Sequence, residues 1–119
     1  MRRVAPSRAL GRLVSAVRRW YQLPGRMMTR AVNLRLEPYD VYIGRAGGRR
    51  DGYFGNPFKI GLDGNRFQVI EKYRVYFLGR LSSDATFRKR VRELKGKTLG
   101  CFCKPDICHG DVIVAYLDR

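Results

Sequence analysis

Thr98-Leu99-Gly100-Cys101-Phe102-Cys103, then Lys104-Pro105-Asp106, then Ile107-Cys108-His109-Gly110-Asp111-Val112-Ile113-Val114-Ala115-Tyr116-Leu117, is the stretch on which the fold turns. Its first six residues read as a strand. Lys104-Pro105-Asp106 breaks it, because proline fixes φ and removes a backbone donor. Ile107 to Leu117 then reads as a helix, against the local preference of the β-branched Val112, Ile113 and Val114. A strand feeding directly into a helix through a short break is the unit from which α/β domains are built. The same stretch gathers all three cysteines and the one histidine of the chain into the interval Cys101–His109.

Working back from this stretch, Phe67 to Leu81 places Val69, Ile70, Tyr73, Tyr76 and Phe77 at helical spacing and predicts an amphipathic helix. Ser82-Ser83-Asp84 then offers N-cap side chains for a second helix with the apolar stripe Phe87, Val91 and Leu94, which Gly96 ends. Further upstream, Pro38 opens a strand at Tyr39–Ile43, with Tyr39, Val41 and Ile43 on one face, and Val32 and Leu34 mark a short extended segment before it. Between Gly44 and Gly64 there are seven glycines, with Arg45, Arg49, Arg50 and Lys59 among them. So long a Gly-rich stretch in a small domain is expected to be a structured, functional loop. The order β-β-loop-α-α-β-α predicts a small single α/β domain over residues 28–119, with a short, mostly parallel sheet and two to three packed helices.

Composition narrows the classes. The 119 residues carry 25 Lys and Arg against 10 Asp and Glu, a net charge of +15, with 45% hydrophobic residues. The longest apolar run, Val112 to Leu117, is far short of the roughly 20 residues that span a bilayer. Three cysteines do not make a secreted disulfide framework and fit a reducing, cytoplasmic setting. The charge points to a polyanionic partner, nucleic acid before anionic membrane. It is unevenly spread: residues 1–27 hold seven Arg and no acid, leaving +8 of the +15 to residues 28–119. This leader has Val4, Leu10, Leu13, Val17 and Trp20 at mostly helical spacing and breaks at Leu23-Pro24-Gly25. It reads as a basic arm for a nucleic acid or membrane surface, as a transit-type presequence, or as a segment outside the mature protein, with translation starting at Met27-Met28.

The terminal cluster supports three readings. Cys101, Cys103, Cys108 and His109 have the donor types of a closed zinc site. Against that, alternate residues of a regular strand stand about 6 to 7 Å apart, at about 3.3 Å per residue, so the strand would have to end early to bring Cys103 to Cys101. Adjacent helical residues such as Cys108 and His109 diverge by about 100°. A reactive thiol is the second reading: Asp106 caps the last helix, Cys108 lies in its first turn, His109 exchanges the proton and Asp111 orients the imidazole. In the third, the cysteines are small buried residues and His109 makes a structural hydrogen bond.

Other residues point to anions. Gly110 at the helix start, and the Gly44–Arg50 loop with Gly44, Arg45, Arg49 and Arg50, would together cradle a phosphate, although neither common phosphate-loop pattern is present. In Phe54-Gly55-Asn56-Pro57-Phe58, Asn56 serves either a ligand or its own backbone. Arg88, Arg92 and Lys95, with Lys89 and Arg90 nearby, form a basic helix face that would grip nucleic-acid phosphates or simply be solvated.

Val32-Asn33-Leu34, Asp40-Val41-Tyr42-Ile43-Gly44-Arg45, Gly55-Asn56-Pro57-Phe58 and Gly96-Lys97-Thr98-Leu99-Gly100-Cys101-Phe102-Cys103-Lys104-Pro105, with Cys108-His109-Gly110-Asp111-Val112, together resemble the prokaryotic and phage domain-of-unknown-function family 4326. The resemblance runs from about residue 31 to the end, and Cys-x-Cys-x-Pro followed by Cys-His-Gly-Asp-Val is its specific part. It implies a stand-alone α/β domain of bacteria, archaea or their phages, which weakens the presequence reading of the leader and strengthens the late start. Where that family often has Trp, this chain has Phe54 and Phe102, so an aromatic is kept at both. The resemblance lends no catalytic role to any residue.

Two functions follow as expectations. The first is a domain that binds or processes a nucleotide or other phosphorylated small molecule where the Gly-rich basic loop meets the Cys108-His109-Gly110-Asp111 turn, since ligands of α/β sheets bind at the carboxyl ends of strands. The second is a basic nucleic-acid-binding module whose carboxyl-terminal turn is pinned by zinc. A phage protein that binds a host protein is a third, which nothing in the chain specifically favours.

Overall fold

Leu99, Gly100 and Cys101 are all buried, as the middle of a sheet covered on both faces must be. They belong to β3 (Thr98–Cys101) in the computed structural model of the chain, which describes residues 28–119. On one side of β3 runs β1 (Arg30–Asn33) and on the other β2 (Val41–Tyr42), both parallel to it, giving the order β1-β3-β2. Leu99 pairs with Ala31 on one side and Val41 on the other. Parallel neighbours need a crossover connection, and the chain between β2 and β3 supplies it with α1 (Arg66–Ser83) and α2 (Ala85–Arg92). After β3 comes α3 (His109–Leu117). The domain is α/β, as its order of elements implied.

Local chemistry sets most of the boundaries. Asn65 and Gln68 cap α1 reciprocally: the Gln68 amide donates to Asn65 Oδ1 at 2.9 Å, and the Asn65 amide to Gln68 Oε1 at 2.8 Å. The helix therefore starts at Arg66, one residue before the expected Phe67. Asp84 caps α2 by accepting from the Phe87 amide at 3.0 Å. Gly96, at φ +80°, takes the left-handed turn that leads into β3.

Other boundaries differ from expectation as well: α2 ends at Arg92, short of Gly96. Pairing of β3 stops at Cys101, so Phe102 and Cys103 leave the sheet. The last helix begins at His109 with Cys108 as N-cap, because the Asp111 carboxylate reaches back to accept from the Cys108 amide at 3.0 Å. Asp106, the expected cap, instead closes a turn through its amide onto the Cys103 carbonyl at 2.9 Å.

The core lies where α1 meets α2, α3 and the sheet, and its largest fully buried side chains are Tyr73, Phe77 and Phe87. Tyr73 and Phe77 stack at 5.7 Å between ring centroids, and Phe87 meets Phe77 edge-on at 5.7 Å, arrangements that aromatic quadrupoles favour. The expected stripe Phe87, Val91 and Leu94 is buried throughout. Tyr73 also reaches out of the core: its buried hydroxyl donates to the Phe54 carbonyl at 2.9 Å and ties the Gly-rich segment to α1. Within that segment Gly52 sits at φ +67°, and a Cβ there would stand 2.3 Å from the Ala46 amide nitrogen, so only glycine fits. Among the described residues no helix is long and apolar enough to cross a membrane. The readings of the leader, with its apolar spacing, lie outside the described residues.

Candidate functional site

Where β2 and β3 end, the chain leaves the sheet twice, into the Gly44–Arg50 loop and into the Phe102–Cys108 turn. Between these two departures lies a cavity of about 650 Å³. The loop Gly44–Arg50 lines one side, Cys101, Phe102, Cys103, Ile107, Cys108 and His109 the other, and Arg66, Val69 and Ile70 from the start of α1 the remainder. This volume is within the roughly 300–1,000 Å³ typical of small-molecule sites, and its position at the carboxyl ends of strands is the usual one for α/β sheets.

The early end of β3 brings the three cysteines together. Cys101 Sγ lies 3.5 Å from Cys108 Sγ, both side chains being buried, and 3.8 Å from the Val32 carbonyl. Cys103 lines the cavity and is only half-buried. The turn is held by Asn33, whose Nδ2 donates to the Lys104 carbonyl at 2.8 Å. Hydrogen bonding from Cys101, then from Cys108, with His109 and Arg66 nearby, holds the Cys103 thiol far below the usual thiol range. The same contacts raise the other two: Cys101 chiefly through Cys103, and Cys108 through Cys101 and Cys103 with burial adding to them. Of the three thiols Cys103 is the one left partly exposed, at the cavity wall.

His109 points inward beside Cys108, which their adjacency had made look difficult; with Cys108 at the N-cap, the two are not consecutive residues of a regular helix. Its Nε2 donates to the Ile43 carbonyl at 2.6 Å and its ring meets Tyr73 edge-on at 5.0 Å. Burial pushes its pKa down, so the ring is neutral. Asp111 does not orient it: one carboxylate oxygen accepts from the Cys108 amide and the other from Lys104 Nζ at 2.7 Å. The expected Cys108–His109–Asp111 relay is thus not assembled. Nor is the four-ligand zinc set: among the described residues no group of three or more His, Cys, Asp or Glu side chains is arranged to hold a metal ion.

The arginines divide. Arg45 donates to the carbonyls of Asn56 and Phe58, the latter at 2.8 Å, and so ties the loop to the Asn56 turn. Arg50 lies over the Tyr42 ring, 4.3 Å from its centroid, at the cavity wall, and Arg49 lines the cavity as an exposed side chain. Asn56 is buried and serves its own chain, accepting from the Phe58 amide at 2.9 Å and donating to the Val69 carbonyl at 3.1 Å. Of the expected anion ligands, Gly44, Arg45, Arg49, Arg50 and Asn56 all reach the cavity wall. Gly110 does not: it is buried where α3 packs on the sheet, and a Cβ there would stand 2.8 Å from Ile43 Cδ1.

The family described as "Domain of unknown function (DUF4326)" matches residues 27–119. The chain belongs to that family. A relative from Enterobacteria phage T4, described as an "Uncharacterized 12.4 kDa protein in nrdA-td intergenic region", is 35% identical over 100 residues, covering 83% of this chain and 85% of that protein. No solved structure matches the chain. Of the motif that carries the family resemblance, Cys101, Cys103, Cys108 and His109 line one wall of the cavity in this DUF4326 domain.

The basic face of α2 stands apart from the cavity. Arg88 donates to the Leu81 carbonyl, and Lys95 to the Leu117 carbonyl at 2.6 Å and to Asp118 at 3.1 Å. Arg90 lies over the Tyr53 ring at 3.7 Å. Lys89 and Arg92 are exposed. The residues that sequence reasoning missed at the cavity are Tyr42, Phe102, Ile107 and above all Arg66. The Asn65–Gln68 capping pair was the legible signal for Arg66, since it fixes Arg66 as the first residue of a helix that starts at the loop's end.

Proposed function

We propose that this domain binds a phosphorylated small molecule, a nucleotide first among them, in the cavity between the Gly-rich basic loop and the cysteine turn. The observation that carries this reading is the cavity itself, which segments more than fifty residues apart in sequence line together. Arg49 and Arg50 bring positive charge to the loop side, where guanidinium groups suit phosphate oxygens. Tyr42 and Phe102 offer aromatic surface: Phe102 is 42% exposed and meets Tyr42 edge-on at 6.3 Å. Such surface suits a nucleobase. The nucleic-acid reading has less behind it, because Arg88 on α2 and Lys95 in the turn after it already serve internal carbonyls.

Thermal unfolding in the presence of ATP, adenosine and inorganic phosphate tests the reading. A ligand at a hundred times its Kd stabilises by about 2.7 kcal/mol. ATP is expected to raise Tm, with adenosine and phosphate giving smaller shifts. Equal shifts with all three, or none with ATP and other nucleotides and sugar phosphates, would refute the proposal.

A further inference from the structure

We propose that His109 Nδ1 accepts a hydrogen bond from an uncharged N–H or O–H group of the molecule held in the cavity. The site then selects ligands that carry such a donor as well as a phosphate, a selection that rests on the reading of the cavity as a phosphorylated-ligand site. The imidazole is 6% exposed and forms part of the cavity wall. Its tautomer is fixed by geometry: Nε2 lies 2.6 Å from the Ile43 carbonyl, which can only accept, so Nε2 carries the proton. In the neutral ring Nδ1 is then a bare acceptor. Among the described residues the Ile43 carbonyl is the only hydrogen-bond partner of the ring, so Nδ1 has no donor from the chain.

The neighbours are already committed. Tyr73 meets the ring edge-on at 5.0 Å, and its hydroxyl proton goes to the Phe54 carbonyl. Arg45 gives its guanidinium protons to the Asn56 and Phe58 carbonyls. Asp111 faces Lys104 and the Cys108 amide. Native structures rarely leave a buried acceptor without a donor, because doing so is costly. A phosphate oxygen cannot serve, since its lone pairs would face that of Nδ1; the phosphate therefore belongs with Arg49 and Arg50 on the loop. The amino group of a nucleobase or a ribose hydroxyl can serve. A site built around such a bond rejects the analogue that lacks the donor.

His109 is the one histidine of the chain, so imidazole ¹⁵N resonances test this on the folded protein without ambiguity. In the free protein at neutral pH, Nε2 is expected to be protonated and Nδ1 bare; the opposite tautomer overturns the proposal. Saturation with ATP is expected to move Nδ1 upfield, as accepting a hydrogen bond does, while Nε2 stays. Two analogues then identify the donor: purine riboside triphosphate lacks the amino group, and 2′,3′-dideoxy-ATP lacks the ribose hydroxyls. One of the two is expected to bind at least about tenfold more weakly than ATP. His109→Gln keeps a donor for the Ile43 carbonyl but moves the acceptor off the Nδ1 position, so ATP and that analogue should bind it alike. The resonance and analogue measurements use the unsubstituted chain and decide the matter whether or not the variant folds. Both analogues binding as ATP does, or a loss that persists in folded His109→Gln, overturns the proposal. The two readings fail separately: if ATP binds with Nδ1 unmoved, only the acceptor falls. If adenosine moves Nδ1 but ATP binds no more tightly than adenosine, the acceptor stands and the phosphate reading falls. An Nδ1 that responds to neither overturns the acceptor.

Discussion

The cavity wall and the exposed face of α2 both carry clustered arginine and lysine, yet they use that charge differently. On α2 and the turn after it the cations are largely absorbed by the fold: Arg88 serves the Leu81 carbonyl, Arg90 the Tyr53 ring, and Lys95 the end of α3. At the cavity Arg45 is absorbed in the same way and Arg50 lies over the Tyr42 ring, but both Arg50 and the exposed Arg49 stand at the cavity wall, on a loop whose backbone is shaped by glycines. A helix presents its cations at fixed spacing to whatever packs nearby, including its own neighbours. A loop at the end of a strand presents them to an enclosed space. Charge density alone therefore does not locate a site; what the charge faces does.

Three substitutions or conditions put that contrast under strain. The largest effect is expected from Arg49→Ala combined with Arg50→Ala. Losing two charge-assisted contacts should weaken ATP binding by about 100-fold, about 2.7 kcal/mol, by calorimetry. Arg92→Ala, a control on α2, should leave affinity within about twofold; equal losses from both would erase the contrast.

Next comes pH, through the joint between the cavity's two sides. His109 is held neutral by burial, with a folded pKa below the ordinary value, while the unfolded chain takes up its proton near pH 6.5. The unfolded state thus binds more protons in the window below that value. Stability should be full above about pH 6.5 and fall by up to about 1.4 kcal/mol per pH unit below it, until the folded imidazole itself protonates. Denaturant titrations at pH 7.5, 6.0 and 5.0 read this, and His109→Gln should flatten that part of the profile. A profile unchanged by that substitution would remove His109 as the acid-sensitive joint.

The smallest effect is expected from Arg88→Met, which removes the donor to the Leu81 carbonyl. About 1 kcal/mol of stability should be lost, a fall in Tm of roughly 4 to 8 °C for a domain of this size, with ATP affinity unchanged. A loss of affinity without a loss of stability would return α2 to the binding surface.

Much of the fold was legible because it rests on periodic burial. Tyr73 and Phe77 on α1, and Phe87 and Val91 on α2 with Leu94 just past its end, fall at helical spacing and are buried. The order of elements implied a parallel sheet, and one is present. The pairing of the Gly-rich loop with the cysteine turn was legible in outline, since both follow strands. What the sequence concealed were long-range hydrogen bonds between irregular segments. Asp111 faces Lys104 and the Cys108 amide rather than His109, and His109 faces the Ile43 carbonyl across 66 residues of sequence. The turn that carries Cys103 out of β3 is held by Asn33, far upstream, through the Lys104 carbonyl. No local pattern encodes such partners.

The central claim is that the two walls of the cavity bind one phosphorylated ligand together. Amide chemical shifts followed by ¹H–¹⁵N NMR during an ATP titration test this most directly. The expected result is that Gly47, Gly48 and Arg50 on the loop shift with Cys103 and His109 on the turn along one saturation curve, while Lys89 and Arg92 stay still. Shifts confined to α2, or loop and turn saturating at different concentrations, would contradict it.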